Sequence, residues 1–160
     1  MNIRLDDFSS PQVAQLLQEH LADMRRISPP ESVHALDLEK LKTKDIHFWT
    51  AWEDDTLLAC AAIKRLSQAH GEIKSMRVAQ VHQGKGIASN LMVFLLNQAK
   101  QLGYSKLSLE TGTQSFFKPA HQLYQKFGFK ASAPFADYKL DPNSCFFTCN
   151  LSETAYSLRM

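Results

Sequence analysis

The chain predicts an α+β fold: one domain with a mixed, twisted sheet of about six to seven strands, flanked by about four helices. Three observations lead there. Strand-length apolar or alternating runs crowd between residues 46 and 79, a long amphipathic helix precedes them, and a strand–helix–strand unit follows. Hairpin-linked strands feeding a crossover make a mixed sheet rather than an all-parallel one. A length of 160 residues suits a single domain with a proper core, expected over 1–160.

Taken in order, "NIRL" (2–5) alternates as a short first strand. In "PQVAQLLQEHLADMRRI" (11–27), Val13, Leu16, Leu17, Leu21 and Met24 recur at intervals of three and four, the signature of one helical face. Ser10 is a good N-cap ahead of Pro11 in the first turn. Pro29-Pro30 interrupts, and "ALDLEKLK" (35–42) reads as a short second helix. Strands are expected at "IHFWTAWE" (46–53), "LLACAAIKRL" (57–66) and "GEIKSMRVA" (71–79), with "EDD" as the first turn and His70-Gly71 as the second. Ala88, Leu91, Met92, Leu95, Ala99 and Leu102 continue a helix until Gly103 stops it. "KLSLETG" (106–112) is a strand, "KPAHQLYQKFGF" (118–129) a short helix ended by Gly128, and "FFTCNL" (146–151) the last strand. Trp49 and Trp52 stand an odd number of residues apart on one strand, so they face opposite ways: one in the core, the other toward the cleft or a dimer contact. Val93, Phe94 and Leu96 make the 87–102 helix apolar beyond one stripe, which either further burial in the chain or a homodimer would explain.

Composition excludes several classes. With 44% hydrophobic and 21% charged residues this is ordinary globular usage, and a formal charge of +2, with scattered basic residues, argues against nucleic-acid and membrane partners. "MNIRLDDFSS" has acids where a secretory leader would be apolar, and no run reaches membrane-spanning length. Three cysteines, Cys60, Cys145 and Cys149, form no C-x-x-C pair, so a reducing cytoplasm is expected rather than a disulfide framework. Cys60 reads as core, and Cys145 and Cys149, lacking a nearby histidine, are poor nucleophiles. Six scattered histidines offer no zinc spacing, and no metal is assigned.

The informative stretch is "QVHQGKGIASNLM" (80–92), two glycines and a lysine at a helix start. A helix N-terminus leaves about four N–H groups unpaired and carries partial positive charge, which suits a phosphate. The P-loop pattern is absent, because Lys85 lies between the glycines. The dinucleotide fingerprint is also poor: Ser89 replaces the third glycine and several hairpin strands come first. Gln83-Gly84-Lys85-Gly86-Ile87-Ala88 instead resembles the Q/R-x-x-G-x-G/A loop of the GCN5-related N-acetyltransferases (GNAT), which cradles the pyrophosphate of acetyl-coenzyme A. "GEIKSMRV" resembles that family's fourth strand, "KLSLETG" its fifth, and "PAHQLYQKFGF" its A-x-x-L-Y-x-x-x-G-F helix, in matching order from about residue 46 to 130. "SPPES", "EIKSMR", "LETG" and "PFADY" resemble the bacterial YsnE-like subgroup. The chain departs from the family in having Gln83 where Arg is frequent, and Glu110-Thr111-Gly112 where Asn often ends the fifth strand.

The resemblance implies an acetyl-coenzyme-A-dependent N-acetyltransferase working by direct attack of an amine on the thioester. The loop amides of Gly84, Gly86, Ile87 and Ala88 would hold the pyrophosphate, with Gln83, Lys85 and Ser89 beside it and Asn90 or His82 as further contacts. Backbone groups at Met76, Arg77 and Val78 would pair with the pantetheine arm. Tyr124 matches the tyrosine beside the thioester sulfur, a general acid for the leaving thiolate; otherwise it is a packed aromatic next to Leu123 and Phe127. Glu72 opens the fourth strand where relatives place the general base. By strand parity it shares a face with Met76 and Val78, although a bulge, common in this family here, would reverse that count. Its plainer reading is a surface carboxylate paired with Lys74 or Arg77. His70 is the rival base, read more simply as an exposed turn residue. Glu110, Asp137 and Tyr138 are expected to meet the acceptor, in an acidic cleft suited to a cation. The expected acceptor is a small-molecule primary amine or an amino-acid-like compound. A protein N-terminus or lysine is the alternative, and a module that binds acyl-coenzyme A without turnover is the alternative of another class.

Overall fold

The structure, a computed structural model, describes residues 1–33 and 37–151. Its strands are β1 (Asn2–Leu5), β2 (Ile46–Glu53), β3 (Thr56–Ser67), β4 (His70–Val78), β5 (Lys106–Gly112), β6 (Lys130–Ser132) and β7 (Ser144–Asn150). Its helices are α1 (Pro11–Ile27), α2 (Leu38–Leu41), α3 (Ile87–Gln101) and α4 (Lys118–Lys126). They form a seven-stranded sheet ordered β1-β2-β3-β4-β5-β7-β6, in which β4 and β5 are parallel and every other neighbouring pair antiparallel.

Most expected elements stand where the sequence put them, because their ends are written in local chemistry. The Ser10 hydroxyl accepts a hydrogen bond from the Gln12 amide at 3.2 Å, capping α1. Gly128, at φ +90°, lets the chain leave α4 with the Phe129 amide bonded back to the Tyr124 carbonyl. Four differences appear. The second helix is shorter than "ALDLEKLK": Asp37 caps Leu38–Leu41, and the expected residues Ala35 and Leu36, with the neighbouring His34, lie outside the described residues. Strand β6 was not foreseen, being three exposed residues with no apolar face of their own. Strand β7 begins two residues earlier than expected, at Ser144. His70 is in strand rather than turn, paired to Ser67 and Lys106, and half-buried.

Two cores sandwich the sheet. On one face Val13, Leu16 and Leu17 of α1 and Leu41 of α2 pack on Phe48, Trp52, Cys60 and Ala62. On the other, Leu91, Met92, Leu95 and Leu96 of α3 meet Trp49, Ala61, Ile63 and Leu109. Small side chains along β3 (Ala59, Cys60, Ala61, Ala62) let helices close down on both sides, which removes that surface from water. Both tryptophans are therefore core residues on opposite faces, and neither lines a cleft. Part of the apolar surplus of α3 packs on this chain's own sheet: Leu96 is fully buried and the Phe94 ring meets Trp49 edge-on at 5.7 Å, while Val93 and Phe94 are only half-buried. No helix among the described residues is long and apolar enough to cross a membrane.

The feature that positions the site is a parting of strands. Strands β4 and β5 pair only from His70–Ile73 against Lys106–Leu109. Beyond that point β4 stays with β3 and β5 with β7. Ser75, at φ +54°, sits in a β-bulge, where Ser75 and Met76 together stand opposite Ala61.

Candidate active site

A cleft of about 500 Å³ occupies the gap between the parted strands. The C-terminal half of α1, β4 from Glu72 to Val78, the glycine loop, the end of β5, and α4 all line it. It brings together most of the residues singled out in the sequence: Glu72, Met76, Arg77, Val78, Gln83, Gly84, Gly86, Ile87, Ala88, Ser89, Glu110, Tyr124 and Tyr138, together with His82. Lys85 and Asp137 are exposed and not among the lining residues, nor is His70, whose Nε2 lies 2.7 Å from the Ser108 hydroxyl.

At one end the glycine loop opens α3. Gly84 and Gly86 both adopt φ +79°, a left-handed conformation that costs other residues strain, and an added Cβ would meet nothing within 4 Å. Gly86 occupies the N-cap position, so no side chain covers the first amides of α3. A fifteen-residue helix thus presents free N–H groups and the positive end of its dipole to the cleft.

The middle is a slot. Residues after Ile73 have no partner strand on the β5 side, leaving an extended backbone edge open to another chain-like group. The bulge at Ser75 upsets simple alternation: Met76 and Val78 pack toward the α3 core, whereas Glu72 and Lys74 stand opposite Lys64 and Ala62 and face the α1 side. Glu72 therefore does not share a face with Met76. Arg77 also turns to the α1 side, where Asp23 at 2.7 Å and Glu19 at 3.2 Å neutralise it, so only its backbone is free for the cleft.

Tyr124 borders the slot from α4, its ring 6.0 Å from both Phe129 and Phe147. Desolvation, with the negative charges of Glu110 and Cys145 adding to it, pushes its phenol up to about 12. The phenol therefore keeps its proton throughout the physiological range.

Across the slot lies a polar chamber on the α1 side. Glu72 is only 3% exposed, so it is no surface carboxylate. Its Oε2 accepts the Tyr138 hydroxyl at 2.5 Å and lies 3.4 Å from the Lys74 ammonium, which itself donates to the Tyr138 oxygen at 2.9 Å. Burial and the Glu72 charge push the Tyr138 phenol up, so it remains a donor. Phe135, Tyr138 and Phe146 stack in a cluster with ring centroids 5.0–5.8 Å apart, which fixes this wall. Glu110 projects from the end of β5, and desolvation raises its carboxyl from 4.5 to about 7, with Glu72 and Asp141 adding and Ser144 and Lys74 opposing.

Sequence reasoning placed Lys74 only as a possible partner of Glu72 and missed its place inside the chamber. It also missed His20, which lines the cleft from α1 with Nδ1 buried and unbonded among the described residues. Burial, with Arg77 close by, drops the His20 imidazole to about 4. Position 20 lies one residue before the predicted apolar position Leu21, a weak signal that became legible only once the helix was docked. Cys145 does have a histidine beside it, His121 Nε2 at 3.5 Å, contrary to expectation. That nitrogen donates to the Gly112 carbonyl at 2.8 Å, and burial and Glu110 raise the thiol, so the pair is not an activated nucleophile. Among the described residues no cluster fit to hold a metal is found.

Comparison with known proteins adds to this geometry. The family model described as "Acetyltransferase (GNAT) family" matches residues 13–129. The chain is 50% identical over 151 residues to the uncharacterized N-acetyltransferase YsnE of Bacillus subtilis, covering 94% of this chain and 100% of that one. In fold it resembles a Bacillus subtilis acetyltransferase solved in complex with CoA (TM-score 0.71, 20% identity, 93% of this chain and 97% of that one). It also resembles a GNAT family acetyltransferase from Elizabethkingia anophelis with acetyl-CoA bound (TM-score 0.66, 20% identity, 93% and 97%).

Proposed function

The chain belongs to the acetyltransferase (GNAT) family, and from that premise we propose that it moves an acetyl group from acetyl-CoA to the primary amine of a small molecule. The observation that carries this is the continuity of the cleft. One end offers uncapped helix amides for a pyrophosphate, the middle an unpaired strand edge for a pantetheine arm, and the far end a chamber with carboxylates for an amine.

The amides of Gly86, Ile87, Ala88 and Ser89 hold the pyrophosphate, with Gln83 and Gly84 shaping the approach and Lys85 adding charge at the rim. The backbone of Met76, Arg77 and Val78 pairs with the arm, and an amide there polarises the thioester carbonyl. Tyr124 protonates the departing thiolate. An ordinary phenol and an ordinary thiol differ by about one to two pH units. Desolvation raises both neutral acids in the same slot, so the match survives the rise of Tyr124 to about 12.

The chamber is less acidic than the sequence suggests, because Asp137 stays outside and Lys74 comes in. Two carboxylates and one ammonium favour an amine that carries an anionic group of its own, an amino-acid-like acceptor, over a polyamine. Thermal stabilisation by acetyl-CoA, CoA, ATP and NADH tests the donor first, since a ligand of the folded state raises its melting point. Thiol release from acetyl-CoA with a panel of amino acids, simple amines and polyamines then tests the acceptor. Stabilisation by ATP or NADH alone refutes the donor. Acetyl transfer confined to polyamines refutes the acceptor class, and acetyl-CoA binding without transfer to any amine points to the binding module instead.

A further inference from the structure

At neutral pH an aliphatic amine arrives as an ammonium, and its nitrogen attacks nothing until that proton is removed. Two carboxylates face the chamber, and their surroundings differ. Glu72 Oε2 already receives the Tyr138 hydroxyl at 2.5 Å and has the Lys74 ammonium at 3.4 Å. Glu110 lies one residue beyond the last β4–β5 pair, Ile73 with Leu109, at the point where the strands part. It lines the cleft, and among the described residues no ion pair reaches it. Its charge acts on Tyr124 of α4 and on Tyr138, so it stands between the acid side of the slot and the acceptor wall.

We infer that Glu110 is the general base that takes the proton from the incoming ammonium, while Glu72, Lys74 and Tyr138 form a hydrogen-bonded wall that positions the acceptor. This rests on the acetyltransferase reading above. The groups facing Glu110 are Glu72 and Lys74 from β4, Asp141 from the segment before β7, Ser144 and Cys145 from β7, Tyr138, and Tyr124 from α4. Desolvation dominates among these influences and brings the carboxyl to about 7, close to the working pH of a base. Neither His20 nor His70 competes. His20 is held near 4, too weak a base, and His70 is bonded to Ser108 outside the lining.

The step balances as follows. The Glu110 carboxylate takes one proton from the ammonium. The freed nitrogen lone pair forms the C–N bond to the thioester carbonyl carbon, the tetrahedral adduct collapses, and the C–S bond breaks. The thiolate takes the Tyr124 proton, and the phenolate recovers one from the new amide nitrogen. One proton leaves Glu110 for solvent per turnover.

The test is the pH dependence of kcat in wild type, E110Q and E72Q, read by thiol release with whichever amine or amino acid the wild type acetylates fastest. Wild type should lose activity below a limb near pH 7. E110Q should be about 10²- to 10⁴-fold slower at pH 7, should lack that limb, and should rise about tenfold per pH unit as free amine accumulates, while coenzyme A still raises its melting point. E72Q should keep the limb. A limb that survives in E110Q, or vanishes only in E72Q, overturns the inference. A ¹³C carboxyl titration of the wild-type protein gives a second readout without an acceptor: a midpoint near 7 assigned to Glu110 supports it, and one below 5 overturns it. A wild-type protein that binds acetyl-CoA yet acetylates no amine refutes the transferase reading and the base with it, a result distinct from an active enzyme whose limb ignores E110Q.

Discussion

Replacing Glu110 with glutamine should stabilise the protein at alkaline pH while crippling it. A carboxyl whose folded value is raised favours the folded state when protonated, and that benefit is lost as pH climbs. Below about 4.5 Glu110 is protonated whether folded or unfolded, and the glutamine variant gains nothing there. Between 4.5 and about 7 the unfolded chain releases the proton and the folded one keeps it, so wild-type stability falls with rising pH. Above 7 the loss is complete. The gap from 4.5 to about 7, at about 1.4 kcal/mol per pH unit, is worth about 3 kcal/mol. Urea denaturation of both proteins should therefore show E110Q more stable by about 3 kcal/mol at pH 8 but by less than about 1 kcal/mol at pH 5. In a chain of this size the pH 8 difference corresponds to roughly 6–12 °C in melting temperature. The comparison cancels every other titrating group, because both proteins carry them. Equal stabilities at pH 8, or a difference that does not shrink toward pH 5, would refute the claim that this carboxylate is held at a desolvation cost.

Four further outcomes are expected. Tyr124→Phe should cut turnover about 100-fold or more with coenzyme A affinity by calorimetry unchanged; unaltered turnover removes its role as acid. Gly112→Ala drives a Cβ into the Phe117 ring, and the forced shift should cost about 1–3 kcal/mol and loosen the α4 side of the cleft; an unchanged melting point argues against that packing. The fully buried Cys60 thiol, pushed up to about 12, should resist thiol reagents until the protein unfolds, and rapid labelling in native buffer contradicts its placement. His20, held neutral to about 4, contributes stability that is complete above pH 6.5 and is lost as pH falls toward 4. His20→Gln should flatten that part of the pH–stability profile, and a wild-type profile already flat between 6.5 and 4 would count against it.

Much of this was legible in the residues because it is local. The Ser10 cap, the positive-φ demand met by Gly84 and Gly86, and the stop at Gly128 each depend on a few neighbouring backbone angles. The order of strands and helices, with Gln83 to Ala88 between a strand and a helix, was enough to suggest a phosphate site and, by resemblance, the family. The apolar faces of α1 and α3 followed from residue spacing, and the fold packs them on opposite sides of the sheet.

What tertiary structure decided was which side each polar group faces and how wet it is. Glu72 parts company with Met76 because Ser75 adds one residue opposite Ala61, and a bulge is a property of the pairing with β3 rather than of β4 alone. Asp137 and Tyr138 are adjacent in the chain, yet only Tyr138 reaches the chamber, because packing on Phe135 and Phe146 fixes its ring there. Glu110 and Asp137 are the same chemistry in the sequence. Burial at the parting of β4 and β5 makes one a base near neutrality, while the other stays exposed to solvent. Local sequence writes backbone angles, but desolvation is set by whatever distant segment packs over a group, so the acidity of the site exists only in the folded chain.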